Sequence, residues 1–344
     1  MRTSPKTLLA TAVAPLVALS LTLTACGGDD EPSNDTESSA APAEPETWPL
    51  TGLEVPDGKS ADSGIYIAKI DNTASSAPQV GLGKADLVVE ELVEGGITRL
   101  AAFYQSELPK EVGPVRSMRA TDVGIAAPAD ATIVTSGAAA YTKEKLAKAK
   151  IEYVEEGQSD ALTRDSGRSS LYSVMADLAK VDKESKDKAT RPEDYLPFGD
   201  DALPQGQPAK TIDVTFSPAR TSRWVFEGGK YHAESAGGSN SGNYMGEGGE
   251  FTPDTVIVAK AKVTEAPYTD PGGSMVPETH FEGTGEAMIF HDGTVVRGTW
   301  SKKSVDAPVT FSTKAGELAI PPGKVWIELV PGKGVVAPGQ VSFT

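Results

Sequence analysis

The chain predicts a mixed α+β protein, an N-terminal domain of α/β type followed by a mostly antiparallel β domain. Three observations carry this. Between Ile65 and about Val181, apolar β-rich runs alternate with segments of helical spacing. From Thr211 onward the runs are short, alternate with polar residues and are separated by glycine turns. Residues 182–210, between the two, are charged and then rich in Pro and Gly, which reads as a linker.

The N-terminus comes first. Arg2 and Lys6 form a basic start, and Thr7 to Ala25 is uncharged and rich in Leu, Ala and Val. It ends in Leu23-Thr24-Ala25-Cys26, so residues 1–25 read as a secretory signal. Small residues placed before the chain's one cysteine resemble a bacterial lipobox, in which the cysteine is lipidated and becomes the first mature residue. A membrane span fits less well, because Pro15 interrupts the apolar run and Gly27-Gly28-Asp29-Asp30-Glu31 ends it. The expectation is an extracytoplasmic protein held to the cell membrane by a lipid on Cys26. With Cys26 consumed, no disulfide and no thiolate metal or redox site remains.

Residues 26–47 then read as the lipidated cysteine and an acidic tether. After Cys26 the segment has no basic residue, too little apolar surface to order itself, and like charges that keep it extended. The charge is −16 for the whole chain; without Arg2, Lys6 and the tether's seven acids it is −11. A nucleic-acid partner needs a basic footprint, so none is expected. Net charge also opposes adhesion to anionic lipid or wall polymer, and an anion needs a local basic site.

In the N-terminal domain, residues 48–181, strands are expected at Ile65–Ile70, Leu87–Val93, Ile97–Gln105 and Thr132–Ser136. Helices are expected at Tyr141–Lys150 and Leu171–Val181, the latter with Leu171, Val174, Met175 and Leu178 on one face. In the C-terminal domain, residues 211–344, strands are expected at Thr255–Val263, Glu286–His291, Thr294–Trp300 and Val325–Val330. Asp292-Gly293 signals a two-residue hairpin.

Gly95-Gly96 reads as a second two-residue turn. It places Leu92 opposite Arg99, and Arg99 diagonal to Glu90 and Glu94 on one face. Glu91 then falls on the other face. Acids are poor strand formers, so adjacent Glu90 and Glu91 in an apolar strand need a reason. Either Arg99 forms a salt-bridge cluster with Glu90 and Glu94, or Glu91 or Glu90 lines a site.

The stretch "VGPVRSMRATD", Val112 to Asp122, sets two arginines just after a Gly-Pro break. Ser117 is placed to cap a helix through Asp122 and Ile125. Arg116 and Arg119 then sit at the helix end that repels cations, an anion receptor in need of an anion. The anion is either internal (Asp71, Glu90 or Glu91) or a ligand carboxylate or phosphate. Arg164 and Arg168 are placed to join the same surface.

The ordered series Ile70-Asp71-Asn72, Pro78-Gln79-x-Gly81-Leu82, Ala85-Asp86, Glu90-Glu91, Gly95-Gly96-Ile97-Thr98-Arg99 and Val112-Gly113-Pro114-Val115-Arg116-Ser117-x-Arg119 resembles the N-terminal domain of the YerB-like bacterial lipoproteins, domain of unknown function 3048. Gly298–Trp300 and Val325–Gly332 resemble that family's C-terminal domain. The resemblance implies a two-domain exported lipoprotein with no established activity. The family pattern carries Pro-His-Asn before Leu-Tyr; here Ser169-Ser170 lead directly into Leu171-Tyr172, so the first domain has no histidine. His232, His280 and His291 have no metal-ligand spacing.

The expected function is a non-enzymatic envelope protein that binds an anionic wall component or a membrane-bound partner. Its ligand residues are Arg99, Arg116, Ser117, Arg119, Arg164 and Arg168, with Asp71, Asn72, Glu90 and Glu91 adding polar contacts. No cofactor, metal or catalytic residue is expected, because the chain shows no nucleophile elbow, His-paired nucleophile or P-loop. The sequence says nothing of oligomeric state. The alternative is an envelope phosphoryl or glycosyl transferase acting on a lipid-linked anionic substrate. Its layout resembles the LytR-CpsA-Psr polymer ligases, with Asp86, Glu90, Glu91, Arg99, Arg116 and Arg119 in the metal and pyrophosphate roles. Paired-carboxylate glycoside hydrolysis is excluded for Glu90 and Glu91, since strand neighbours point to opposite faces.

Overall fold

The computed structural model describes residues 45–185, 189–234 and 250–344. The signal peptide, Cys26 and the tether up to residue 44 lie outside the described residues.

Three apolar runs form the centre: β1 (Tyr66–Asp71), β2 (Leu87–Leu92) and β3 (Thr98–Tyr104), with every residue buried. Strands apolar on both faces belong inside a sheet covered on both sides. β3 pairs antiparallel with both β1 and β2. The chain continues through α1 (Asp122–Ala126), β4 (Thr132–Thr135), α2 (Ala140–Ala149) and β5 (Tyr153–Glu155). β4 adds to β1 and β5 to β4, both in parallel. A separate ribbon, β6 (Leu162–Arg164) with β7 (Val174–Ala176), precedes α3 (Leu178–Glu184).

This ribbon corrects the helix expected over Leu171–Val181. Val174 and Ala176 bond into β6 and, through Val112, into the preceding segment. The helix starts only at Leu178, where the Asp177 side chain accepts the Lys180 N–H and caps it.

The second half supplies β8 (Gln207–Pro208), β9 (Thr211–Ser217), β10 (Arg220–Glu227), β11 (Lys230–Glu234), β12 (Thr255–Thr269), β13 (Met275–His280), β14 (Gly283–His291), β15 (Thr294–Lys302), β16 (Thr310–Thr313), β17 (Gly316–Leu318), β18 (Val325–Gly334) and β19 (Gln340–Phe343). The Asp292-Gly293 turn forms as expected: both residues have positive φ, and His291 pairs with Thr294.

Most strands belong to one mixed sheet, in the order β17-β16-β15-β14-β12-β18-β2-β3-β1-β4-β5, with β13 on β12 and β8 on β15. The two halves of the sequence meet inside it. β18 lies parallel to both β12 and β2, so Val325 pairs with Leu87 and Glu328 with Glu90. Residues 45–344 form one compact unit. The fold is thus mostly β with mixed sheets and only short helices, a coarser class than the α/β-then-β sequence expectation.

A smaller sheet, β11-β10-β9-β19, covers one face of the main sheet. Between them lies a core of Val88, Leu92, Ile212, Phe216, Trp224, Trp326 and their neighbours. The opposite face packs Ile67, Val89, Phe103, Met118, Ile125 and Ile327 under the helices and loops. Trp326 fixes the first core, with its ring 4.9 Å from Trp224 and 5.7 Å from Phe251. Trp326→Ala is expected to cost about 3–5 kcal/mol, as large-to-small changes in a dense core do, read as a lowered midpoint in urea unfolding.

Candidate functional site at the arginine cluster

The pleat of β2 turns Leu87, Val89 and Glu91 towards the helices, and Val88, Glu90 and Leu92 towards the smaller sheet. Each glutamate therefore belongs to a different polar cluster, and both are fully buried.

The hairpin register corrects one expectation. The loop is Glu94-Gly95-Gly96, three residues rather than two, closed by the Val93 N–H on the Ile97 carbonyl. Gly95 and Gly96 have φ of 72° and 73°, which glycine adopts without a Cβ penalty. Arg99 consequently stands opposite Glu91, not Leu92. A shift of one residue exchanges the faces, so Arg99 lies on the side of Glu91 rather than of Glu90.

On the helix side, Lys69 Nζ lies 2.6 Å from both Glu91 Oε1 and Asp122 Oδ1, with all three groups buried. Burial, then the Asp122 charge, push the Glu91 carboxyl above its ordinary value, while Lys69 and Arg99 oppose the shift. Arg99 Nη1 donates to the Ser117 carbonyl at 2.6 Å, and Nη2 lies 3.5 Å from Glu94. Burial first, then the neighbouring Arg119, lower the Arg99 guanidinium to about 10. Arg119 grips Glu94 with its fork, Nε donating at 2.9 Å and Nη2 to the other oxygen, and Nη1 donates to the Met118 carbonyl. Burial alone would raise Glu94, but the Arg119 bond and the Arg99 and Arg119 charges outweigh it and hold the carboxyl at about 2.

The segment carrying Arg116 is fixed by its backbone. The Asp71 N–H donates to the Pro114 carbonyl at 3.1 Å, and the Arg116 N–H to the Lys69 carbonyl at 2.7 Å. Gly113, at φ 154°, leaves no room for a side chain: a Cβ would lie 2.9 Å from Met175 Sδ and from the Val174 carbonyl. α1 begins only at Asp122, whose carboxylate accepts the Arg119 N–H at 2.7 Å. Ser117 therefore caps nothing, and the helix end expected beneath the arginines is not there.

Arg116 is the loosely held member. Nη1 donates to the Leu171 carbonyl at 3.2 Å and lies 3.4 Å from Asp71 Oδ2, while the guanidinium sits 5.1 Å over the Tyr172 ring. Asp71 is occupied by Thr73, accepting its N–H at 2.9 Å and its hydroxyl at 2.6 Å. The 164–172 loop does reach this surface, but its arginines are engaged. Arg168 donates to the Ser76 and Pro78 carbonyls, and Arg164 to Glu156, the Ser170 carbonyl and Ser173. Segment 116–118 runs beside residues 135–137, which lead into α2. That helix starts at Ala140, after the N-cap Ala139, with no capping side chain and no acid in its first turn.

On the other face, Glu90 Oε1 accepts from Arg220 Nε at 2.8 Å, Thr98 Oγ1 at 2.6 Å and Asn72 Nδ2 at 3.1 Å. Glu90 and Asn72 thus serve the joint between the two sheets and lie apart from Arg116. Asp86, at the opposite end of β2, accepts from the Gln105 and Ser106 N–H groups and does not join the arginines. The histidines bond singly, His280 with Thr264, His291 with Thr255 and His232 with Glu250. A cleft of about 820 Å³ elsewhere, lined by Asp62, Tyr66, Glu152 and Asp182 among others, includes none of these arginines.

Sequence reasoning missed Lys69, Asp122, Arg220 and Glu328. A signal existed for two of them: Lys69 in "YIAKID" and Glu328 in "VWIELV" are charges inside otherwise apolar strand runs.

Residues 50–191 match the family described as "Protein of unknown function (DUF3048) N-terminal domain", and residues 212–327 match its C-terminal domain. The chain belongs to the DUF3048 family. "Putative lipoprotein YerB" of Bacillus subtilis (strain 168) is 27% identical over 293 residues, covering 82% of this chain and 86% of that protein. The crystal structure of YerB protein from Bacillus subtilis superposes with a TM-score of 0.71 at 22% identity, covering 86% of this chain and 99% of that one. The DUF3048 fold is therefore shared at low identity.

Two measurements separate the arginines. Arg119→Ala removes the bidentate partner of the part-buried Glu94 and leaves it Arg99 at 3.5 Å. It is expected to cost about 1.5–3 kcal/mol in denaturant unfolding, against about 1 kcal/mol for Arg116→Ala, whose ion pair is longer. Glu94 also sets an acid limb. Its folded value lies below the ordinary 4.5, so its stabilisation is complete above that value and lost as pH falls towards about 2. Glu94→Gln is expected to flatten the fall in melting temperature over that range.

Proposed function

We propose that this chain is an exported lipoprotein, anchored through Cys26, that binds a small anionic envelope ligand at Arg116 and does not transform it. The observation that carries the reading is the contrast among the arginines. Arg99 and Arg119 are committed to carbonyls and Glu94, with side chains 2% and 10% exposed. Arg116 is 18% exposed and its carboxylate neighbour is 3.4 Å away through Oδ2, while Thr73 donates its N–H and its hydroxyl to Oδ1 of the same group. A guanidinium so placed, held by one long ion pair, can share an incoming carboxylate or phosphate with Asp71, and the two Thr73 bonds keep the Asp71 carboxylate partly satisfied. The rigid ring of ion pairs behind it keeps Ser117 and Arg116 in place, which lowers the ordering cost of binding.

The lipid anchor rests on Leu23-Thr24-Ala25-Cys26 and on the name of the B. subtilis relative. Among the described residues no helix is long and apolar enough to cross a membrane.

Two experiments test the proposal. Metabolic labelling with a fatty acid is expected to mark the wild type and not Cys26→Ser; equal labelling removes the anchor. Thermal unfolding of the full-length protein in detergent is followed with added pyrophosphate, polyprenyl phosphate or soluble wall fragments. At least one is expected to raise the melting temperature of the wild type and leave Arg116→Ala unmoved. No shift in the wild type, or the same shift in the variant, refutes a receptor at Arg116.

A further inference from the structure

The joint between the two sheets holds two buried carboxyls against one cation. Glu90 of β2 and Glu328 of β18 are register partners on adjacent parallel strands and point to the same face. Both are fully buried. The Arg220 guanidinium, from β10 of the smaller sheet, lies on Glu90 with Nε and Nη2 each 2.8 Å from Oε1. Ser222 of the same strand donates to Glu90 Oε2 at 3.2 Å, and the Trp224 indole N–H donates to Glu328 Oε1 at 2.8 Å.

Among the described residues, the elements packed around Glu328 are β2, β3, β9, β10 and β12, and β9 presents the apolar Ile212, Val214 and Phe216. β2 presents Glu90, and β10 presents Arg220, Ser222 and Trp224. β3 and the end of β1 present Thr98 and Asn72, both turned to Glu90. On β12 the register partner is the apolar Val258, and the flanking residues of β18 on this face, Trp326 and Val330, are apolar too. Among the described residues, the titratable or charged groups at the joint are Glu90, Glu328 and Arg220. Two buried carboxylates beside one guanidinium leave a net negative charge where no water can screen it.

We propose that Glu90 and Glu328 hold one proton between them, and that this proton makes the seating of the smaller sheet on the main sheet sensitive to pH. The proton sits on Glu328, as a hydrogen bond to a Glu90 carboxylate that is already neutralised by Arg220. Burial, and after it the charge of Glu90, push the Glu328 carboxyl well above its ordinary value, against the Trp224 and Arg220 contacts. The sign follows from linkage. A carboxyl raised on folding gives its full stabilisation below the ordinary value of 4.5, and loses it as pH rises through the folded value. When the proton leaves to solvent, two like charges face each other across β2 and β18. The groups that answer the new charge, the Trp224 indole N–H and the Arg220 guanidinium, both come from β10, so the seating of the smaller sheet changes as Glu328 ionises.

The test reads Trp224 directly. The full-length protein is labelled with indole-15N tryptophan, and its four indole N–H signals are followed by NMR from about pH 5 to about pH 10. Single Trp→Phe variants assign the signals. The Trp224 signal is expected to shift in one step at a pH well above the ordinary carboxylate range, while those of Trp48 and Trp300 stay still. Glu328→Gln, which carries the neutral form permanently, is expected to hold Trp224 at its low-pH position throughout and to lose less melting temperature on alkalinisation than the wild type. A Trp224 signal that is flat across the range in the wild type overturns the proposal, and needs no variant to fold. A shift that survives unchanged in Glu328→Gln overturns it as well.

Discussion

β2 carries two adjacent glutamates, is buried on both faces, and has a strand bonded to each edge. No water reaches either carboxyl, so each must be neutralised by side chains brought from elsewhere in the sequence. The surroundings of this strand follow from that constraint. On one face it draws in Lys69 and, through Lys69, Asp122 and the start of α1. On the other it draws in Arg220 of the smaller sheet together with Asn72 and Thr98. The pattern repeats across the sheet: on each face two carboxyls lie close to one shared cation, Glu91 and Asp122 to Lys69, with Arg99 beside them, and Glu90 and Glu328 to Arg220.

The arginine motif reads differently once it is attached to this strand. Its arginines do not act as a set. Arg119 locks the β2–β3 loop through Glu94, and Arg99 ties β3 to the Ser117 carbonyl. Together they hold the 113–119 segment against the C-terminal end of β1, and Arg116 is the most exposed of the three arginines, with a long internal ion pair. A stretch that reads as one receptor is mostly scaffold, with Arg116 its most exposed arginine.

Strand existence was legible because apolar β-rich runs and glycine turns are local properties. Ile65–Ile70, Leu87–Val93, Ile97–Gln105 and Thr132–Ser136 fall within a residue or two of β1 to β4. Register was not legible. Whether Gly95-Gly96 closes a two- or a three-residue loop depends on where Glu94 goes, and Glu94 is pulled by Arg119 from a later segment. The helix expected over Leu171–Val181 failed for a similar reason: Val174–Ala176 is claimed by β6 and Val112, a long-range bond that outweighs local periodicity. The family was legible from its ordered motifs. The partners of Glu90 and Glu328 were not, because a buried charge in one strand does not say which distant strand will answer it.

The parallel pairing of β2 with β18 has a consequence for how the molecule is made. Leu87 emerges early in synthesis and Val325 near the end, yet they are neighbours. Until the last strands exist, β2 presents a bare row of amide and carbonyl groups beside two unpaired acids, a template open to the wrong strand. Its own acids guard it in that interval: a strand edge bearing two negative charges is a poor seed for stacking with copies of itself. The glutamates that burden the finished interior thus protect the unfinished chain.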